Sequence, residues 1–247
     1  MTPVHIDNKL WYWALPSGKS AATLFIGDSN CQQYYPRVAE LVRTHPNETN
    51  SVFYKAMGAC FPAPGMRYEK NRDWCDNVPE DALTIARSMP NIEVVVVAAQ
   101  WNSYFTHIKG QEYGSEGYRE TLRSLSDYLK AYVAAGKKVY FILNIPVGRE
   151  FNPKYLMRRR LADPADESYF SVPRAALDEK YAMIQADLTR LARDAGATIF
   201  DPMEILCPHE QCRTMLEDGD PLYKDSIHLR PSYVRGQMTF IDETVRY

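Results

Sequence analysis

The run Val94-Val95-Val96-Val97 narrows the folds open to this chain more than any other stretch. Four branched apolar residues without polar alternation make a strand buried on both faces, as in a parallel sheet covered by helices on either side. Residues 22–26, 51–56, 92–99, 138–145 and 197–200 all read as strands. Helical spacing fills the intervals. Tyr118, Leu122, Leu125, Leu129 and Val133 recur behind a Ser115 cap and ahead of Gly136, and Leu177, Tyr181, Ile184, Leu188 and Leu191 form one face between Pro173 and Gly196. Weaker helical patterns cover 32–43 and 81–88, and another follows Pro231. The alternation predicts a doubly wound α/β domain over residues 21–247, a flavodoxin-like three-layer αβα sandwich with a mostly parallel sheet of about five strands. At 45% apolar and 12% aromatic residues, 247 residues suffice for such a core. Residues 1–20, with the aromatic tract Leu10-Trp11-Tyr12-Trp13, read either as a connector to something else or as an arm folded over the chain's own core.

A formal net charge of −2, without a basic stripe, argues against nucleic acid as a partner. No segment approaches the ~20 apolar residues of a membrane-spanning helix, and His5, Asp7 and Lys9 stand where a signal peptide would be apolar. The chain as it stands reads as soluble, and equally as an excised domain. The segment 148–172, carrying Arg158-Arg159-Arg160, reads as an insertion between a strand and its helix. Its arginines suit a solvated face, and also an anionic substrate or a membrane surface.

Cysteines fall as Cys31, the pair Cys60 and Cys75, and the pair Cys207 and Cys212. The spacing suggests two local disulfides and a free thiol, which points to an oxidising compartment. Five reduced, buried cysteines remain open as the alternative. Zinc fits less well, because the pairs lack ribbon spacing and His209 is the one histidine near Cys207 and Cys212.

In open α/β sheets ligands gather at the carboxyl ends of the strands. There the sequence places Gly27-Asp28-Ser29 after the first strand, Gly58 after the second, Asn102 after the third, and Asp225 and His228 after the fifth. A serine at a strand-to-helix turn gains backbone N–H groups for an oxyanion, and an imidazole backed by a carboxylate three residues away is the base its hydroxyl needs. Gly-Asp-Ser is also an ordinary turn sequence, so the order and position of both motifs carry the reading. No metal-ligand spacing involves His228, and no Gly-x-Gly-x-x-Gly follows the first strand to cradle a nucleotide; no cofactor is expected.

These blocks resemble the SGNH/GDSL hydrolase superfamily. Leu24 to Ser29, Val97-Ala98-Ala99-Gln100-Trp101, the stretch from Asp218 to Leu229, and the Cys60-Phe61-Pro62 and Cys207-Pro208 contexts are most similar to a subset of it: the extracytoplasmic SGNH domain of bacterial acyltransferase family three proteins. The resemblance implies Ser29 as nucleophile, His228 as general base then acid, and Asp225 as the group orienting the imidazole. It implies an oxyanion hole from the Ser29 and Gly58 N–H groups with the Asn102 side chain, although the third block reads Gln100-Trp101-Asn102 in place of Gly-x-Asn-Asp. It further implies O-acetylation of a cell-envelope polysaccharide such as lipopolysaccharide O-antigen. The acetyl donor would come from a membrane acyltransferase domain of the same native chain, and the location would be periplasmic, tethered to the inner membrane. Carbohydrate O-acetyl esterase activity is the nearest alternative. A non-catalytic glycan-binding module is a second, with Trp101 and Tyr104, and also Phe105 and Tyr34, as stacking surfaces; the same aromatics read equally as core.

Overall fold

The computed structural model describes residues 1–6, 10–66, 73–163 and 169–246. Among the described residues nine strands are formed: β1 (Thr2–Ile6), β2 (Leu10–Leu15), β3 (Ala22–Gly27), β4 (Ser51–Ala56), β5 (Ile92–Ala98), β6 (Lys138–Ile142), β7 (Ser171–Pro173), β8 (Thr198–Phe200) and β9 (Gln211–Arg213). Seven of them make one sheet in the order β1-β2-β4-β3-β5-β6-β8, while β7 and β9 pair separately. From β4 across to β8 all neighbours are parallel. This parallel part has the five strands expected. The sheet is nevertheless wider than expected, because β1 and β2 form an antiparallel hairpin that extends it beyond β4. The N-terminal stretch is therefore an edge of the sheet. Tyr12 is buried with its ring 5.0 Å from Phe53 of β4, edge to face. Asp7 and Lys9 lie outside the described residues.

Helices cover both faces. The first group is α1 (Ser29–Gln32), α2 (Tyr35–Thr44), α3 (Val78–Ser88), α4 (Trp101–His107) and α5 (Glu116–Ala134); the second is α6 (Pro153–Ala162), α7 (Arg174–Asp194), α8 (Met203–Leu206), α9 (Pro231–Gln237) and α10 (Asp242–Val245). Strand β5 shows why the layers form. Val95 and Val97 enter the core beneath α3, α5 and α7, with Ile85, Leu125, Leu129, Ile184 and Leu188. Val94 and Val96 enter the opposite core with Val38 and Leu41 of α2, Val234 of α9 and Val245 of α10. All four valines are fully buried, each worth about 1.5–3 kcal/mol.

Helix α5 starts where the Ser115 hydroxyl accepts from Tyr118 N at 3.0 Å. Helix α6 falls inside the segment expected to be an insertion. Asn152 caps it, Pro153 opens it, and Leu156 is its one buried residue, so its face carries too little apolar periodicity to be read in advance.

The order places β4 on one side of β3 and β5 on the other, so the chain changes direction at the carboxyl end of β3. That crevice is the usual ligand position of doubly wound sheets.

Candidate active site

Gly27 ends β3 where it runs against β5. A Cβ there would lie 1.8 Å from the Ala98 carbonyl oxygen and 2.5 Å from Cys31 Cβ, so only glycine fits. Asp28 then turns the chain: its Oδ1 accepts from Asn30 N at 2.7 Å, which caps α1 and puts Ser29 in its first turn. The other Asp28 oxygen accepts from Gln100 N and from the Tyr104 hydroxyl, each at 3.0 Å, tying the Ser29 turn to the start of α4. Burial pushes the Asp28 carboxyl above its usual range, and the three donors only partly oppose the shift.

The second arm comes from the segment between Tyr223 and Leu229, which bridge each other antiparallel. Asp225 Oδ1 accepts from Ile227 N at 2.9 Å, and Lys224 N donates to the His228 carbonyl at 3.0 Å, so the turn is closed from within. His228 Nδ1 lies 3.0 and 2.9 Å from the two Asp225 oxygens, and its Nε2 lies 2.8 Å from Ser29 Oγ. A carboxylate only accepts, so the ring proton sits on Nδ1 and Nε2 accepts from the serine hydroxyl. At Asp225 burial favours the neutral acid, but the Ile227 N–H, the His228 hydrogen bond and the imidazole's charge together hold its carboxyl below the ordinary range.

Two tethers were not legible in the sequence. Gln33, four residues past Ser29, accepts from Leu229 N at 3.1 Å and donates to Asn30 at 3.1 Å, which joins the serine helix to the histidine segment. Ser226 is held from the other side: Asn152 Nδ2 donates to its hydroxyl at 2.9 Å and Gly148 N to its carbonyl at 3.0 Å. Glutamine at i+4 from a serine, and an Asn-Pro helix start, are the only sequence traces of these contacts.

The other expected site residues fall differently. Gly58 lies in the exposed turn after β4; Met57 N donates to Gly27 O at 2.9 Å, and the Cys60–Cys75 disulfide closes the loop behind it. Asn102 is buried and paired with Asn144, whose Oδ1 accepts from Asn102 N at 3.3 Å and whose Nδ2 donates to Asn102 Oδ1 at 3.2 Å. Among the described residues no hydrogen bond joins it to Ser29. Trp101 and Tyr104, the substrate-stacking candidates, take the core alternative. Trp101 is wholly buried, donates from Nε1 to the Ile142 carbonyl at 2.9 Å and stacks on Phe141 at 4.7 Å; Tyr104 is 4% exposed and spends its hydroxyl on Asp28. Tyr34 and Phe105 are buried as well. A second disulfide joins Cys207 and Cys212. Cys31 is buried and unpaired, and desolvation, then the Asp28 charge, raises its thiol pKa well above the ordinary value.

The Ser29–His228–Asp225 row thus lies at the carboxyl end of the sheet of a three-layer sandwich. The model of the family described as SGNH domain (fused to AT3 domains) matches residues 5–235, and the chain belongs to that family. Among solved structures, the periplasmic domain of a Salmonella ser. Paratyphi A lipopolysaccharide acetyltransferase is similar, with a TM-score of 0.64 at 12% identity over 90% of this chain and 83% of that one. An acetyl xylan esterase matches with a TM-score of 0.48 at 14% identity, covering 90% of this chain and 96% of its own. A comparison with curated proteins gave no match.

Proposed function

We propose that the chain is a serine-dependent O-acyltransferase working through an acetyl-Ser29 intermediate. The observation that carries this reading is the 2.8 Å contact between His228 Nε2 and Ser29 Oγ, with Asp225 behind Nδ1. In the first half-reaction Ser29 Oγ attacks the acetyl carbonyl while Nε2 takes its proton. The oxyanion forms against the Ser29 and Gly58 N–H groups, and Asn102, engaged with Asn144, takes no part. Collapse expels the donor's leaving group, protonated by the imidazolium, and leaves the acetyl ester on Ser29. In the second half-reaction an acceptor hydroxyl gives its proton to Nε2 and attacks the ester; as the acyl–Ser29 bond breaks, the imidazolium returns that proton to Ser29 Oγ. Asp225 fixes the tautomer throughout and stabilises the imidazolium.

The acceptor in this reading is a cell-envelope polysaccharide such as lipopolysaccharide O-antigen, and the acetyl donor is delivered by the acyltransferase domain to which members of this family are fused. Two disulfides support an extracytoplasmic location, since such bridges persist in oxidising compartments. Water in place of the sugar gives an O-acetyl esterase. The side chain of Asp225 is 43% exposed, and that openness favours hydrolysis when the chain acts alone. A fluorophosphonate probe tests the chemistry: it labels Ser29 in an acyl-transfer enzyme, and an unlabelled serine in the folded protein refutes the reading. Acetyl transfer from an activated ester to oligosaccharide, measured against its hydrolysis, separates transferase from esterase.

A further inference from the structure

Two residues beyond His228, Arg230 lines a second surface feature. Residues 213–230 form a meander in which Met215 bridges Pro221, Leu222 N donates to Thr214 O at 2.9 Å and Arg230 N donates to Leu222 O at 3.0 Å. Leu229 is buried in the core, and Arg230 lines a groove at the surface. Helix α9 begins at the next residue and supplies the facing wall. Between them lies a groove of about 930 Å³, within the usual range of ligand sites.

Packing builds the floor of this groove. Met215 belongs to a small separate core with Leu156 of α6 and Tyr169, and Tyr233 of α9 is 9% exposed. Phe170 lies against Tyr169 at 4.7 Å, its carbonyl accepting from Thr214 N at 3.0 Å, yet the residue is 39% exposed and lines the groove. The rim mixes charges. Arg213 and Arg230 stand with Glu217, Asp218 and Asp220, and Arg230 Nη1 lies 2.5 Å from Asp220 Oδ2. A polyanion would meet three carboxylates there, and a polycation two guanidinium groups. A neutral chain of hydroxyls can use both the donors and the acceptors, with Phe170 against the apolar face of a sugar ring.

We propose that this groove binds the acyl acceptor, and that the acceptor is a neutral oligosaccharide chain lying across Phe170 and the Arg230–Asp220 pair with one hydroxyl directed toward His228. This rests on the acyl-transfer reading above and adds the place and charge class of its acceptor. The test uses the 247-residue chain carrying Ser29→Ala, applied to an array of neutral and acidic oligosaccharides, with calorimetric titration of the neutral one that binds best. Neutral glycans are expected to bind, and Phe170→Ala and Asp220→Ala, each confirmed folded by circular dichroism, to weaken binding by about tenfold or more. Arg213→Ala is the replacement should either fail to fold. Absence of glycan binding, binding confined to acidic glycans, or affinity unmoved by the substitutions overturns the groove. Ester turnover that depends on Ser29 is read separately in the unmodified chain, so loss of the acyl-transfer reading and loss of the groove are distinguishable.

Discussion

His228 offers Nε2 to the Ser29 hydroxyl at 2.8 Å while both oxygens of Asp225 hold its Nδ1, at 2.9 and 3.0 Å. The imidazole is thereby fixed in one tautomer and one orientation before any substrate arrives. Gln33 and Ser226 anchor the segment that carries it, from opposite sides.

Substitutions along this row should behave as changes to one unit. Ser29→Ala and His228→Ala are each expected to remove nearly all turnover of an activated acetyl ester, and the double variant to be little worse than either. Asp225→Asn should lower kcat by about 10³–10⁴-fold by favouring the wrong tautomer. Asn102→Ala should cost less than the ~10²–10³-fold of a lost oxyanion donor, because its amide is turned to Asn144. Steady-state kinetics on folded variants checks each, and a thousandfold loss in Asn102→Ala would return that residue to the oxyanion hole.

The two carboxylates of the site should give opposite pH signatures. Asp225 has a lowered folded pKa, so its stabilisation is fully present above the ordinary value of about 3.9 and is lost as pH falls through the lowered one. Asp28 has a raised folded pKa, so its contribution is largest below about 3.9 and declines as pH rises through the raised value. Urea unfolding in steps of pH should show the stability gap between wild type and Asp225→Asn widening as pH rises, and the gap to Asp28→Asn narrowing. Parallel curves would contradict both assignments.

Gly27→Ala should damage fold and site together. Its new Cβ meets the Ala98 carbonyl, part of the rigid β5 backbone, so β3 and β5 must spread. Overpacking of this kind costs about 1–3 kcal/mol, a fall in Tm of roughly 2–12 °C for a chain of this size. Calorimetry should show that fall together with reduced ester turnover, since Asp28 and Ser29 follow directly. An unchanged Tm would mean that the close approach of the two strands is not real.

The parallel sheet was legible because the unbroken apolar run Val94 to Val97 suits a strand buried on both faces; Ser29 stood out at the end of β3, and Asp225 and His228 as a carboxylate and an imidazole three residues apart in one turn. The β1–β2 hairpin was not, because an aromatic tract such as Leu10-Trp11-Tyr12-Trp13 pairs with β4 only through tertiary structure. Helix α6 escaped because one buried leucine among arginines leaves no apolar stripe. Trp101 and Tyr104 stayed undecided between substrate surface and core for a related reason: an aromatic ring has the same identity in a sequence whether it stacks on a sugar or on Phe141. The Gln33–Leu229 and Asn152–Ser226 contacts join residues far apart in the chain, so no local pattern encodes them.

The cysteines supply a prediction about compartment. Under oxidising conditions Ellman's reagent should find almost no reactive thiol in the native protein and one after denaturation, that of Cys31. Replacing Cys60 and Cys75 together should cost about 3 kcal/mol, the loop-closure value for a separation of 15 residues. Three or more thiols in the folded, oxidised protein would contradict the pairing and the extracytoplasmic location it supports.

The central claim, an acetyl group carried on Ser29, is tested most directly by trapping it. The purified chain would be exposed briefly to p-nitrophenyl acetate, quenched in acid and digested for peptide mass spectrometry. The account predicts one added acetyl group on the peptide containing Ser29 of the unmodified chain, and none on Ser29→Ala, which does not turn over the ester. Acetylation confined to other residues, or full turnover by folded Ser29→Ala, would contradict it.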